Sequence, residues 1–271
     1  MPVPRLKKRL GQHHLRDGRL CRPLVEFLRP AGERVLEIGP GGGVLTAELL
    51  RAGARVVAVE LDAQWAFVLR RRTAPGEGRL RIAVADARDL DFGRLPPPTL
   101  VAGNLPFNVA TRLVEALLPH AAAVPRAAFM VQKEVGERLV ARPGESAYGA
   151  LSVLVAAQAS ARWLGAVRPG SFQPPPKVAA AFVGLDLHAP PLPERDMPAF
   201  RRLVHLAFGQ RRKTLRNALA AKLGRGEAAA LLEAAGLPAR CRAEELAHDV
   251  FLELFRLTRE RTARTAAAAP R

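Results

Sequence analysis

The sequence predicts an α/β fold in which a parallel sheet wound with helices is followed by a small all-helical C-terminal domain. Three observations predict it. Short β-prone apolar runs at 34–38, 55–59, 80–84, 99–102 and 127–131 alternate with amphipathic stretches of helical period, the pattern of parallel strands joined by crossover helices. The first run enters Gly39-Pro40-Gly41-Gly42-Gly43 without a break, so a strand, a glycine turn and a helix start follow in succession. Beyond the proline-rich stretch 186–198 only helical patterns remain. A chain of 271 residues suffices for one large domain, residues 1–187, and a small one, 188–271, and 49% hydrophobic residues can fill a core.

Lys and Arg number 42 against 25 Asp and Glu, a net charge of +17 that calls for a polyanionic partner. Nucleic acid is the economical choice. Arginine supplies most of the excess, and part of it reflects a composition rich in Ala, Arg, Gly and Pro throughout. A membrane is the competing partner, but no apolar run approaches a spanning length and no amphipathic basic anchor stands out. Cys21 and Cys241 are isolated thiols without zinc-like spacing, which fits a reducing compartment. The basic N-terminus lacks the apolar segment of a secretory signal, so the expected location is the cytoplasm.

In chain order, residues 5–9, which include Lys7 and Lys8, form a basic arm that contacts phosphate and closes over a ligand, or else is a solvated lead-in. His13 and His14 follow; adjacent side chains diverge and no third ligand is near, so they are not read as a metal pair. A helix over 20–28 leads to the first strand and the glycine turn, and the helix after it runs to residue 50. Val44 stands where a dinucleotide fingerprint wants glycine, which argues against NAD and FAD. The second strand ends at Glu60, placed to accept both hydroxyls of a ribose, and the third ends beside Asp86, placed to accept from an adenine amino group. Turn, ribose acid and base acid together suit S-adenosylmethionine.

The fourth strand runs into Gly103-Asn104-Leu105-Pro106-Phe107-Asn108 ahead of a helix over 109–118. Asn104 and the Leu105 carbonyl can each accept one N–H of an exocyclic adenine amine, returning its delocalised lone pair to nitrogen, while Phe107 stacks on the ring. An ordinary strand-to-helix turn, with Asn as cap and Phe in the core, is the alternative. Further on, 133–140 and 148–157 read as helices, and Ser171-Phe172-Gln173-Pro174-Pro175-Pro176-Lys177-Val178 is a stiff polyproline segment ahead of a strand over 178–185. Phe172 is expected to stack on the base, with a core position as the alternative. After the linker, helices are expected over 199–208, 213–223, 227–235 and 243–259, with a disordered tail from 262. Arg211, Arg212, Lys213 and Arg216 cluster basic charge at the start of this domain, to grip RNA backbone.

Taken together, Gly11-Gln12 with Leu15, Glu37-Ile38-Gly39-Pro40-Gly41, Glu60, Asp86, Asn104-Leu105-Pro106, Val131-Gln132-Lys133-Glu134-Val135, 172–178 and Gln210-Arg211-Arg212-Lys213-Thr214-Leu215-Arg216-Asn217 resemble the ribosomal RNA adenine N6-dimethyltransferases of bacterial small-subunit type. The resemblance implies a class I S-adenosylmethionine-dependent methyltransferase (Rossmann-like) sheet with a helical RNA-binding domain. It implies cofactor contacts at His13, Leu15, Gly39, Gly41, Glu60, Asp86 and Asn104, with Phe107 and Phe172 around the target adenine. The implied substrate is a pair of adjacent adenines in a hairpin loop near the 3′ end of 16S rRNA, met by a monomer on the 30S subunit. A large-subunit (23S) methyltransferase giving antibiotic resistance and a ribosome-assembly factor with weak catalysis are the rival readings. Where such enzymes usually have Asn-Phe this chain has His13-His14, and where they usually have Tyr it has Phe107. Stacking survives loss of the phenol; the change at position 13 is harmless if the backbone makes the contact there and costs affinity if the side chain does.

Overall fold

The computed structural model describes residues 13–72, 79–106, 109–210 and 213–268, with side chains to residue 262. The elements run β1 (His14–Leu15), α1 (Arg22–Leu28), β2 (Arg34–Ile38), α2 (Val44–Arg51), β3 (Arg55–Glu60), α3 (Ala63–Arg72), β4 (Leu80–Val84), β5 (Leu100–Asn104), α4 (Ala110–Leu117), β6 (Arg126–Gln132), α5 (Lys133–Val140), α6 (Ala150–Ala156), β7 (Ala159–Val167), β8 (Phe172–Gln173), β9 (Ala180–Leu187), α7 (Met197–Phe208), α8 (Leu215–Leu223), α9 (Arg225–Ala234) and α10 (His248–Ala268).

The chain divides into two compact units, Met1–Val140 with Ala159–Ala189, and Ala141–Gln158 with Pro190–Arg271. The first holds a sheet of order β4-β3-β2-β5-β6-β9-β7, parallel from β4 to β6, with β9 antiparallel to both β6 and β7. Its central strands are apolar on both faces because helices cover both, so Val35, Leu36, Leu100, Val101, Ala127 and Phe129 are all buried. α4 shows the complementary logic: Ala110, Leu113, Val114 and Leu117 recur at helical spacing and are buried. Strand order reverses between β2 and β5, where the carboxyl ends of an open sheet leave a crevice. Ile38 pairs with Gly103 there, so Gly39 and Asn104 leave neighbouring strands side by side.

The six sequence-expected strands are present, the sixth as β9, and helices occupy each expected region, most with ends displaced by a few residues and the last, α10, shifted towards the C-terminus. Two strand features are additional. β7 is a full edge strand with an irregularity between Trp163 and Gly165, and β1 pairs with β8 in a separate antiparallel ribbon, His14 opposite Gln173 and Leu15 opposite Phe172. The expected disordered tail from 262 is corrected: α10 continues to Ala268, as an alanine-rich run favours.

In the second unit, α6 to α10 bury Leu151, Phe200, Leu219, Leu231 and Phe251, and Phe208 stacks on Phe251 at 5.7 Å between ring centres. Residues 141–158, assigned by chain order to the first domain, belong to this unit. The Tyr148 hydroxyl donates to Leu246 O at 2.8 Å and Gly144 N to Glu244 O at 2.8 Å, fastening the segment across a long sequence separation.

Candidate active site

The glycine turn is shaped by its neighbours. Gly41 adopts a left-handed φ of 50°, and a Cβ there would stand 2.8 Å from Nε2 of His14, so only glycine fits under that imidazole. Glu60, at the tip of β3, reaches across with Oε2 accepting from Gly41 N at 2.9 Å and Oε1 accepting from Asp62 N at 2.9 Å. The acid expected at the ribose position thus also braces the turn. Burial raises its carboxyl above the ordinary range, and the two amides oppose that rise.

Asn104 ends β5, and its Nδ2 donates to the backbone carbonyl of His13 at 3.0 Å. With the amide nitrogen tied to the arm, Oδ1 is the group left to accept. Leu105 N donates to Met130 O at 3.0 Å and its side chain is buried, so the strand-end backbone is held on both sides of the amide. Among the described residues no donor engages the Leu105 carbonyl. The arm is fastened in turn to β8: Arg16 N donates to Ser171 O, and its guanidinium donates to Phe172 O and Gln173 Oε1.

These elements enclose a cleft lined by His14, Leu15, Glu37, Gly39, Gly41 and Asn104. The chemistry of its wall is acidic. Glu37 is 1% exposed, its Oε2 has no hydrogen-bond partner, and burial pushes its carboxyl up to about 8 with Thr46 opposing and Glu60 reinforcing the shift. A buried, unpartnered carboxyl oxygen suits a cationic ligand, and S-adenosylmethionine carries both an ammonium and a sulfonium centre. Asp86 caps the turn after β4 by accepting from Arg88 N, and the Arg88 guanidinium beside it holds its carboxyl below the usual carboxylate range. The His14 ring packs edge-on to Trp65 at 4.3 Å; burial, then Arg72 and His13, lower its pKa.

The structure brings His13, Leu15, Gly39, Gly41, Glu60 and Asn104 together at the ends of β2, β3 and β5. One assignment is corrected. Phe172 is 1% exposed and lies in the main hydrophobic cluster with Leu15, Leu24 and Phe182, so its ring has no open face for a base. Core packing, the alternative weighed above, is where it sits. Lys213 and Arg216 are exposed at the start of α8, whose first turn is capped by Thr214 accepting from Asn217 N. Phe107, Lys7, Lys8, Arg211 and Arg212 lie outside the described residues. Two cleft residues had no role assigned from sequence: His14, set aside with the metal question, and Glu37, whose place in the strand-to-glycine-turn motif was the available signal.

The profile of the ribosomal RNA adenine dimethylase family matches residues 3–260. The chain is 42% identical over 255 residues to the ribosomal RNA small subunit methyltransferase A of Pseudomonas putida, covering 92% of this chain and 94% of that one. A dimethyladenosine transferase from Plasmodium falciparum superposes with a TM-score of 0.78 at 23% identity, over 92% of this chain and 98% of the other. The 23S rRNA methyltransferase ErmE superposes with a TM-score of 0.67 at 25% identity, over 90% and 98%.

Proposed function

Because the chain belongs to the ribosomal RNA adenine dimethylase family, we propose that it dimethylates N6 of two adjacent adenines in a hairpin loop near the 3′ end of small-subunit rRNA, acting as a cytoplasmic monomer on pre-assembled 30S particles. Family membership makes it an S-adenosylmethionine-dependent adenine dimethyltransferase of small-subunit rRNA. Among the described residues no helix is long and apolar enough to cross a membrane.

The bound cofactor supplies an electrophilic methyl group. Leu15, Gly39, Gly41, Glu60, Asp86, Asn104 and the backbone of His13 would hold it, with the Glu37 carboxyl facing its positive charge. The protein's own task is to make a weak nucleophile attack. Asn104 Oδ1 and the Leu105 carbonyl accept the two N–H bonds of the target amine, so its lone pair withdraws from the ring and points away from both acceptors. Attack needs no prior deprotonation, because the lone pair is the nucleophile. Phe107, next in the chain after Pro106, supplies the stacking face.

The observation that supports this reading is the Asn104 Nδ2 to His13 O hydrogen bond, which engages the amide nitrogen and leaves Oδ1 as the acceptor at the end of β5. Its test is Asn104→Ala. Removing one oriented polar group at a reacting centre costs about 10²-fold or more in turnover, while cofactor affinity stays measurable by titration. Near-normal turnover in that variant overturns the assignment.

A further inference from the structure

Away from the cleft, a groove of about 580 Å³ opens between α1 and the antiparallel side of the sheet. Phe27 lies along its floor because Gly184 of β9 leaves room: a Cβ at that glycine would stand 2.7 Å from the Phe27 ring. Three arginines converge on it. Arg126 donates to the Phe27 carbonyl at 3.2 Å. Arg162 places its guanidinium 5.9 Å from the Phe27 ring centre and pairs with Asp186 at 3.2 Å. Arg29 follows α1 in a left-handed conformation, φ 50°, exposed and without an ion-pair partner among the described residues. The other acid at the rim, Glu26, is taken by Arg22 at 2.6 Å. The groove is therefore a cationic surface whose guanidinium groups are positioned by the fold, with an aromatic floor.

We propose that this groove grips the phosphodiester backbone of the rRNA substrate at a second point, remote from the target base; the inference rests on the RNA-modifying function proposed above. Arg126 begins β6, and Met130, four residues on, is the register partner of Asn104, so the groove lies roughly 13 Å along the strand from the level of Asn104, at about 3.3 Å per residue. Several observations favour an RNA strand over a small anion. The groove is far larger than one phosphate, Arg29 and Arg162 stand at its open rim, and the net charge of +17 already calls for an extended polyanion. Guanidinium forks match phosphate oxygens, and phosphate contacts of this kind position an RNA without reading its sequence.

The test compares wild type with Arg29→Gln/Arg162→Gln, and with Arg29→Gln alone in case the double variant loses the Asp186 pair and folds poorly. Binding to undermethylated small subunits is measured as a function of salt, beside binding to a minimal hairpin carrying the target loop. The double variant should bind subunits about tenfold more weakly, with the log–log salt slope reduced by about two, one unit per lost phosphate contact. Hairpin affinity, cofactor affinity and turnover at saturating subunit should match wild type. Unchanged subunit affinity and slope in a folded variant overturn the groove while leaving the enzymatic reading intact. A wild type that methylates no RNA overturns that reading and the groove with it. Inorganic phosphate or a free nucleotide that binds the groove without competing with subunits assigns it to a small anion and overturns the proposal.

Discussion

Asn104 is oriented by a backbone group, the carbonyl of residue 13, so the side chain at that position is not what aims the amide. The His13 imidazole instead meets Pro174 O at 2.9 Å on the exposed side of the arm. His13→Ala should therefore leave turnover and cofactor affinity within a few-fold of wild type, and steady-state kinetics with cofactor titration check it. His14 behaves differently, because its ring is packed on the glycine turn and Trp65. Its folded pKa is lowered, by burial first and then by Arg72 and His13, whereas in the unfolded chain it takes a proton near 6.5. The unfolded state binds that proton first, so stability falls as pH drops below 6.5 and levels off once the folded imidazole titrates. His14→Phe should flatten that part of a melting-temperature against pH profile; an unchanged slope contradicts the packing described. Glu37 has the opposite sign. Its folded carboxyl holds its proton to about 8 against 4.5 unfolded, so the apo protein loses stability as pH rises through that window. Glu37→Gln should remove this loss, and should weaken cofactor binding about tenfold or more if the carboxylate faces the ligand's positive charge. Isothermal titration at pH 8, beside melts from pH 5 to 9, reads both effects.

At the level of elements, the two-residue ribbon of β1 and β8 links the arm to the chain on which the cleft depends, and Phe172 anchors it in the core. Phe172→Ala should cost about 3–5 kcal/mol of stability, the range for deleting a buried aromatic ring. A base-stacking ring would give the reverse pattern, a loss of transfer with an unchanged melt, so calorimetry and kinetics on one variant separate the two. The parallel strands were legible in the sequence because each is a short apolar run ended by a turn, and the cleft residues were legible because they sit at those ends. The ribbon was not. Two residues carry no periodicity, and their partners lie more than 150 positions away, so only the folded chain reveals the pairing. β7 was missed for a related reason: as an edge strand with exposed faces, interrupted at Gly165, it has neither a continuous apolar run nor strict alternation. From 262 the helix α10 continues to Ala268, because alanine is the strongest helix former; residues 269–271 lie outside the described residues.

At the scale of the whole molecule, an interrupted chain path matters more than a linear boundary. Residues 141–158 leave the sheet, join the helical unit and return as β7, so the two units share two covalent crossings besides the proline-rich linker. A cut at 187/188 would separate the Tyr148 hydroxyl from the Leu246 carbonyl that it meets, and would leave α6 on the first fragment without the helices of its own unit. The +17 charge belongs to the same scale: it directs the protein to a polyanion, while the cleft offers its ligand a buried carboxyl, Glu37. This charged surface and this cleft act together on small-subunit rRNA, and methyl transfer from labelled S-adenosylmethionine to undermethylated small subunits measures that directly, with large subunits in parallel and the modified base identified by mass. Dimethyladenine confined to the small subunit is the predicted result. Label on the large subunit, or tight subunit binding without any label, would contradict it.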